Sequence, residues 1–233
     1  MKVLVPSYGR PGLATTMEAI ECATIVVPEK QKQEYEKAYP KRVTAIPNNQ
    51  DGNISKKRNA CLNLAKEGEL LWIIDDDLIS AKIIKGTEIT NIDELLEAHY
   101  QLMESCKADF GGFAITNDPG KYREYMPFSL YKPSYGAVCI RNIKKIRYDV
   151  ELTRYEDSDY FMQVLKNKGK ILRDNRIFLK FQCNADVSKI KQQGGIAGNE
   201  QAHKVALDKL VYKWGSYIKI KNGKMSGVKT PRG

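Results

Sequence analysis

Leu70-Leu71-Trp72-Ile73-Ile74-Asp75-Asp76-Asp77 constrains this chain more than any other stretch. Five apolar residues end in three consecutive carboxylates. The run has strand length and is apolar on both alternating faces, the pattern of a strand buried in a parallel sheet. The acids then stand where the strand leaves the sheet, which is where ligands bind in open α/β sheets. Three adjacent anions repel one another and call for a cation. A hard divalent metal bridging to a phosphate-bearing substrate meets that need. A solvated acidic turn or a helix N-terminus, where Asp is also favoured, explains the acids equally well on this run alone.

The flanking pattern alternates short strands with helices, which argues for an α/β domain. Strands are expected at Lys2–Pro6, Thr24–Val27 and Val43–Ile46, separated by helices over Gly12–Cys22 and Glu29–Tyr39. Ser55–Lys66 carries apolar residues at helical spacing, with Gly68 as its C-terminal cap. Asn91 and Glu94 form a capping box for a helix over Ile92–Cys106. Strands follow at Asp109–Thr116 and Tyr135–Arg141. A helix over Tyr155–Lys168 is stopped by Gly169, and a short strand starts at Lys170–Arg173. Beyond Phe181 the pattern weakens to a Gly-rich loop, a helix near Asn199–Trp214 and a basic tail.

The chain of 233 residues fits one large domain or a domain with an appendage. We place a mostly parallel α/β domain at residues 1–180 and a basic extension at residues 181–233, which completes the active site or binds acceptor. No apolar segment is long enough for a membrane helix, and Met1–Pro6 is too short for a signal peptide, so a cytoplasmic protein without a membrane partner is expected. The five cysteines are widely spaced in apolar contexts and read as reduced core residues, and two histidines exclude a histidine-rich metal site. The net charge is +10, which points to a polyanionic partner or merely to a basic soluble enzyme. From Phe181 onward nine Lys and one Arg face Asp186, Glu200 and Asp208, a surplus of seven, so most of the imbalance lies in the last quarter.

Four segments line up in order: Pro6-Ser7-Tyr8-Gly9-Arg10-Pro11, Asn53-Ile54-Ser55-Lys56-Lys57-Arg58-Asn59-Ala60, Asp75-Asp76-Asp77 and Glu156-Asp157-Ser158-Asp159-Tyr160. This order resembles the GT-A-fold glycosyltransferases, in particular the inverting nucleotide-sugar transferases, over about Lys2 to Phe178. The compact form, with Val-Pro-Ser-Tyr-Gly-Arg, Arg-Asn-Ala, Tyr-Glu-Asp-Ser-Asp-Tyr and a late Gly-Gly, is similar to the phage-type DNA-base glycosyltransferases. These are often encoded beside enzymes that oxidise 5-methylpyrimidines and place a sugar on a hydroxymethylated base such as hydroxymethylcytosine.

The resemblance implies a Rossmann-related GT-A sheet, a nucleotide-sugar donor (UDP-linked in the favoured case), a Mg²⁺ or Mn²⁺ ion and a DNA acceptor. It makes Asp75 and Asp77 the Asp-x-Asp pair, Asp77 on the metal and Asp75 on the ribose or a metal-bound water. Asp76 points the other way along an extended chain and is taken as structural. Asp157 is the candidate general base, with Glu156 and Asp159 as rivals; all three also suit a helix N-terminus. Ser7, Tyr8 and Arg10 fall where the nucleotide binds in this fold, Arg10 to base or diphosphate, although a turn residue explains Arg10 too. Arg58 and Asn59 are placed on nucleotide or phosphate, with Lys56 and Lys57 solvated. Gly194 and Gly195 form either a phosphate-covering loop or an ordinary turn. Asn184, Asp186 and His203 are available as a third metal ligand. The aromatic, basic segment Tyr122–Tyr135 stacks bases and contacts phosphates, or belongs to the core. A transferase for a surface polysaccharide and an inactive nucleic-acid-binding module are the alternative functions.

Overall fold

The computed structural model describes residues 1–182 and 200–229. Its centre is a ten-stranded mixed sheet. The strands are β1 (Val3–Pro6), β2 (Thr24–Pro28), β3 (Val43–Ile46), β4 (Leu70–Ile74), β5 (Leu78–Ile83), β6 (Glu88–Ile89), β7 (Phe110–Ala114), β8 (Phe128–Ser129), β9 (Ala137–Arg141) and β10 (Ile171–Phe181). Their order is β3-β2-β1-β4-β9-β7-β10-β5-β6, with β8 on β10. The β3-β2-β1-β4 half is wholly parallel, and β7 pairs β10 in parallel. β9 runs antiparallel between β4 and β7, so β4 is parallel to one neighbour and antiparallel to the other.

β4 is buried along its whole length because both faces of the sheet are covered. Leu70, Trp72 and Ile74 enter one apolar core with Met17, Tyr35, Leu96 and Met103. Leu71 and Ile73 enter the other, with Ala60, Leu62, Tyr160 and Phe161. The helices behind these residues are α1 (Thr16–Ala19), α2 (Lys32–Ala38), α3 (Ile54–Asn63), α4 (Ile92–Cys106) and α5 (Glu156–Lys166). Asn53 caps α3 through Lys56 N, and Asn91 caps α4 through Glu94 N at 3.1 Å. Gly111 in β7 has no room for a side chain, since a Cβ there would collide with the Leu172 carbonyl oxygen and Met103 Sδ.

Several expectations are corrected. The first helix shrinks to Thr16–Ala19, because Gly9 and Gly12 adopt positive φ. Thr16 is drawn instead to the acidic strand exit: its Oγ1 donates to the Asp75 carbonyl at 2.6 Å and accepts from Leu78 N at 2.9 Å. That clasp fixes the backbone carrying Asp75, Asp76 and Asp77. The last strand of the sheet extends to Phe181, seven residues beyond its polar stretch at Asp174, since a register shift between Asp174 and Phe178 absorbs it. α3 ends at Asn63, and Gly68 serves the turn into β4 rather than the cap. Cys61 and Cys139 are buried free thiols as expected, but Cys22 and Cys106 are exposed.

The basic extension also has structure. α6 (Glu200–Trp214) is followed by a two-stranded ribbon, β11 (Ile218–Lys221) and β12 (Lys224–Val228), joined at Asn222-Gly223. Both turn residues have positive φ, 52° and 70°, as a tight hairpin turn of the primed type requires. Leu207, Leu210 and Ile218 pack with Leu152, and Trp214 closes onto the core beside α5. Among the described residues, no helix is long and apolar enough to cross a membrane.

Candidate active site

Arg58 organises the acidic groups. It is 2 % exposed, on the inward face of α3, four residues before Leu62. Its guanidinium reaches three acids from two other elements. Nη2 donates to Asp75 Oδ1 at 2.7 Å; Nη1 donates to Glu156 Oε1 at 2.8 Å and to Asp157 Oδ1. Tyr148 lies under the guanidinium, 5.5 Å from ring centroid to Cζ, and its hydroxyl donates to Asp157 Oδ1 at 3.4 Å. Gly136 lies between the two acidic segments: its carbonyl accepts from Asp75 N at 2.7 Å and its amide bonds Asp157.

One guanidinium does not balance three carboxylates, of which Glu156 and Asp157 are largely enclosed and Asp75 is 36 % exposed. Burial outweighs Arg58 and pushes Glu156 up to about 7, and it raises Asp157 above the usual carboxylate range. Arg58 itself is held well above its ordinary value: burial opposes its charge, but Asp157, Asp75 and Glu156 more than offset that. Asp77 is pushed up to about 7, by burial first and then by Asp75 and Asp76.

Two clefts flank the strand exit. The first, of about 440 Å³, is lined by Ser7, Tyr8, Arg10, Lys30, Asp51, Lys57 and Asp76 among others. Asp76 accepts from Ser7 Oγ at 2.5 Å and from Arg10 Nη1 at 2.9 Å. Lys57 is buried, paired with Asp51 at 2.9 Å, and donates to the Ser7 carbonyl at 2.6 Å. Lys57 and Lys30 stand about 5.0 and 5.1 Å from the Tyr8 ring centroid. The second cleft, of about 1200 Å³, is lined by Asp75, Asp77, Phe113, Ile115, Tyr135, Gly136, Arg154, Phe181 and Lys180 among others.

The geometry sorts the expected residues. Ser7, Tyr8 and Arg10 line the first cleft as a group. Asp75 and Asp77 share the second cleft, while Asp76 points the other way, as alternation along the strand implies, and is held there by Ser7 and Arg10. Arg58 is committed to Asp75, Glu156 and Asp157 and has no free face for a phosphate. Asn59 is likewise committed: Nδ2 donates to the Tyr148 carbonyl at 2.8 Å and Oδ1 accepts from Tyr148 N at 2.9 Å. Lys56 is exposed, whereas Lys57, expected to be solvated, is 4 % exposed. Its spacing four residues before Cys61 carried that signal.

Asp159 is removed from the candidate bases. It is fully buried, and its carboxylate accepts from Trp214 Nε1 and Lys213 Nζ, both at 2.8 Å, and from Gln163 Nε2 at 2.8 Å. It fastens α6 to α5. His203 lies against Tyr155, with Nδ1 3.4 Å from the tyrosine hydroxyl. Asn184, Asp186, Gly194 and Gly195 lie outside the described residues. No group of three or more His, Cys, Asp or Glu among the described residues is placed to hold a metal ion. Two clustered carboxylates, Asp75 and Asp77, fit an ion of the Mg²⁺ type, which takes one or two protein carboxylates and completes its shell with water and substrate phosphate.

The mixed α/β sheet is of the GT-A type, with an acidic strand exit between two clefts. Residues 1–194 match the family model described as TET-Associated Glycosyltransferase, and the chain belongs to that family of glycosyltransferases. The fold is also that of S. aureus TarS 1–349, at a TM-score of 0.51 and 16 % identity over 95 % of this chain and 76 % of that one. The same fragment in complex with UDP gives 0.49 at 15 % identity over 92 % and 73 %. No curated protein sequence matches the chain.

Proposed function

We propose that the protein moves a sugar from a nucleotide sugar, UDP-linked in the favoured case, to a hydroxymethylpyrimidine in DNA, with a divalent metal. The observation that carries this reading is that two clefts flank one acidic strand exit, Asp76 in one and Asp75 and Asp77 in the other. The first cleft offers an aromatic face, Tyr8, between Lys30 and Lys57, with Arg10 and Asp76 beside it. That chemistry suits a nucleoside diphosphate, Asp76 reaching ribose hydroxyls and the cations phosphate. The second cleft is larger, with Phe113, Ile115, Tyr135 and Phe181 among its walls, and suits a base.

Asp77 and Asp75 would hold the metal, which when bound neutralises charge on the leaving diphosphate. Asp157 takes the proton of the acceptor hydroxymethyl group as its oxygen bonds the anomeric carbon and the bond from that carbon to the diphosphate breaks. A single displacement of this kind inverts the anomeric centre. Burial raises the basicity of Asp157 above that of a solvated carboxylate, which favours proton abstraction. Glu156, on the same Arg58 nitrogen, serves as the alternative proton acceptor.

The family description is in accord with an acceptor among oxidised bases. The test is to incubate hydroxymethylated DNA with a panel of nucleotide sugars and read the nucleosides by mass spectrometry. A hexose- or pentose-shifted hydroxymethylpyrimidine is expected. Sugar transfer to a free glycan without any to DNA would replace this acceptor with a polysaccharide.

A further inference from the structure

A pocket of about 230 Å³ opens beside the wide cleft and shares Ala114 and Ile115 with it. Four cations line it, Lys121, Arg123, Lys132 and Arg173, against one acid, Asp118. Asp118 is already used: Oδ1 accepts from Gly120 N at 2.9 Å, and Oδ2 lies 3.8 Å from Lys121 Nζ.

Arg173 is the unusual member. It is 7 % exposed, on β10 opposite Gly112. Nε and Nη2 donate to Asn175 Oδ1 at 2.9 and 2.8 Å, and Nη1 donates to the Pro133 carbonyl at 3.0 Å. These bonds fix the guanidinium plane with neutral acceptors only. Asp174, next along the strand, is bound by Arg176 at 2.7 Å. A guanidinium has five N–H donors, so one on each terminal nitrogen of Arg173 is left over. Burial lowers Arg173 to about 10, and Lys132 is lowered by burial and by Arg173. Two cations whose charge burial disfavours, with the already engaged Asp118 as the one acid in the pocket lining, are the electrostatic complement of an anion.

We propose that this pocket binds a phosphodiester of the acceptor strand, held by Arg173 and Lys132 with Arg123 at the rim. It deepens the reading of DNA as acceptor and rests on it. The pocket sits at the β7–β10 end of the sheet, on the far side of β9 from β4 and the cleft assigned to the donor. It adjoins the wide cleft instead, so a strand whose base enters that cleft can lay a neighbouring phosphate on Arg173. Arg fits phosphate through paired N–H donors, and Lys132 adds a point charge.

The test measures DNA affinity by fluorescence anisotropy over a salt series, and steady-state kinetics on hydroxymethylated DNA, for Lys132→Ala, Arg173→Gln and the wild type. Arg173→Gln is checked for folding by its thermal melt; Lys132→Ala, at a partly exposed position, stands if that variant does not fold. Lys37→Ala, an equal loss of charge on the remote α2, is the control. Lys132→Ala is expected to weaken DNA binding about tenfold, the scale of a lost hydrogen bond to a charged group. It should flatten the salt slope by about one and raise KM for DNA more than it lowers kcat. Unchanged KM and slope in Lys132→Ala, with a wild type that glycosylates DNA, overturn the phosphate site and leave the acceptor reading standing. An equal effect of Lys37→Ala overturns it as well, as a mere net-charge effect. A wild type that neither binds nor glycosylates DNA overturns both.

Discussion

Asp77 differs from its two neighbours in what surrounds it. Arg58 pairs with Asp75 and Arg10 with Asp76, whereas Asp77 makes no ion pair among the described residues and is pushed up to about 7 by burial and by the other two acids. An ion bound there would remove that penalty. Asp77→Asn is therefore expected to lower turnover by about 10² to 10³, the scale of a lost charge-stabilising group, with folding kept. Near-normal turnover of the variant, or an undiminished wild type in excess chelator, would refute the metal assignment. Asp157 and Asp159, two residues apart, should separate cleanly. Asp157→Asn is expected to lower kcat by about 10² to 10⁴ with donor affinity nearly unchanged by calorimetry. Asp159→Asn should instead lower the melting temperature, because it loosens Trp214 and Lys213, and cost kcat less. The reverse ranking would move the base to Asp159. His99 is a third residue with a definite sign. It is buried against Trp72 and Phe113, its Nε2 has no hydrogen-bond partner, and burial lowers it to about 4 although Asp174 opposes this. The unfolded chain binds that proton near pH 6.5, so stability is lost as pH falls from about 6.5 toward 4, by up to about 1.4 kcal/mol per pH unit. Denaturant melts at pH 7 and 5 should show a shallower loss for His99→Leu than for the wild type; parallel losses would mean that His99 is not the group responsible.

At the scale of elements, the N-terminal half was legible because its signals are local. Val43–Ile46 and Ile92–Cys106 fall where pattern and capping put them. The acidic run lands at the exit of a fully buried strand. What the sequence hid was long-range. β5 and β6 follow the acids without a turn signal strong enough to separate them, and β10 runs through Arg173-Asp174-Asn175 because Arg173 donates to Asn175 and the Pro133 carbonyl, Asn175 donates to the Met126 carbonyl, and Asp174 accepts from Arg176. The site was legible in membership more than in role. The order of motifs collected the acids and the first-strand turn, and strand alternation turned Asp76 away from its neighbours, but only tertiary contacts reveal that Arg58 and Asn59 face inward. The ribbon did have a signal: Asn222-Gly223 is a strong short-range mark of a hairpin. Pairing sets Lys221 opposite Lys224, with Lys219 two residues back on the same face, while Ile220 and Met225 take the other face. All three lysines are exposed, and a two-stranded ribbon fits the DNA major groove. Replacing all three by Ala is expected to weaken DNA binding across sequences and flatten the salt slope by up to about three, with binding of the nucleotide sugar unchanged. An unchanged slope by anisotropy would take the ribbon out of the DNA contact.

Across the whole molecule, Arg58 is where distant parts of the chain are tied together. It joins α3 to the exit of β4 and to the first turn of α5, across sequence separations of 17, 98 and 99 residues. Removing a buried cation from such a cluster does more than delete three hydrogen bonds. It leaves Asp75, Glu156 and Asp157 facing one another without a counter-charge. Arg58→Ala is expected to cost about 3 to 5 kcal/mol, as for other buried pairs broken from one side, or roughly 10 °C in melting temperature for a chain of this length. The cluster already holds more acid than base, so the direction of a second change follows. Adding Asp157→Asn to Arg58→Ala should recover part of the loss, because it removes a charge that no longer has a partner. Glu156→Gln in the otherwise intact protein should raise the melting temperature while turnover falls, since the excess acid is kept for the reaction at the expense of the fold. A double-mutant cycle by thermal and denaturant melts reads the coupling directly. If Arg58→Ala/Asp157→Asn is no more stable than Arg58→Ala, packing rather than charge makes Arg58 necessary, and the excess of carboxylates has a different origin from the one argued for the site.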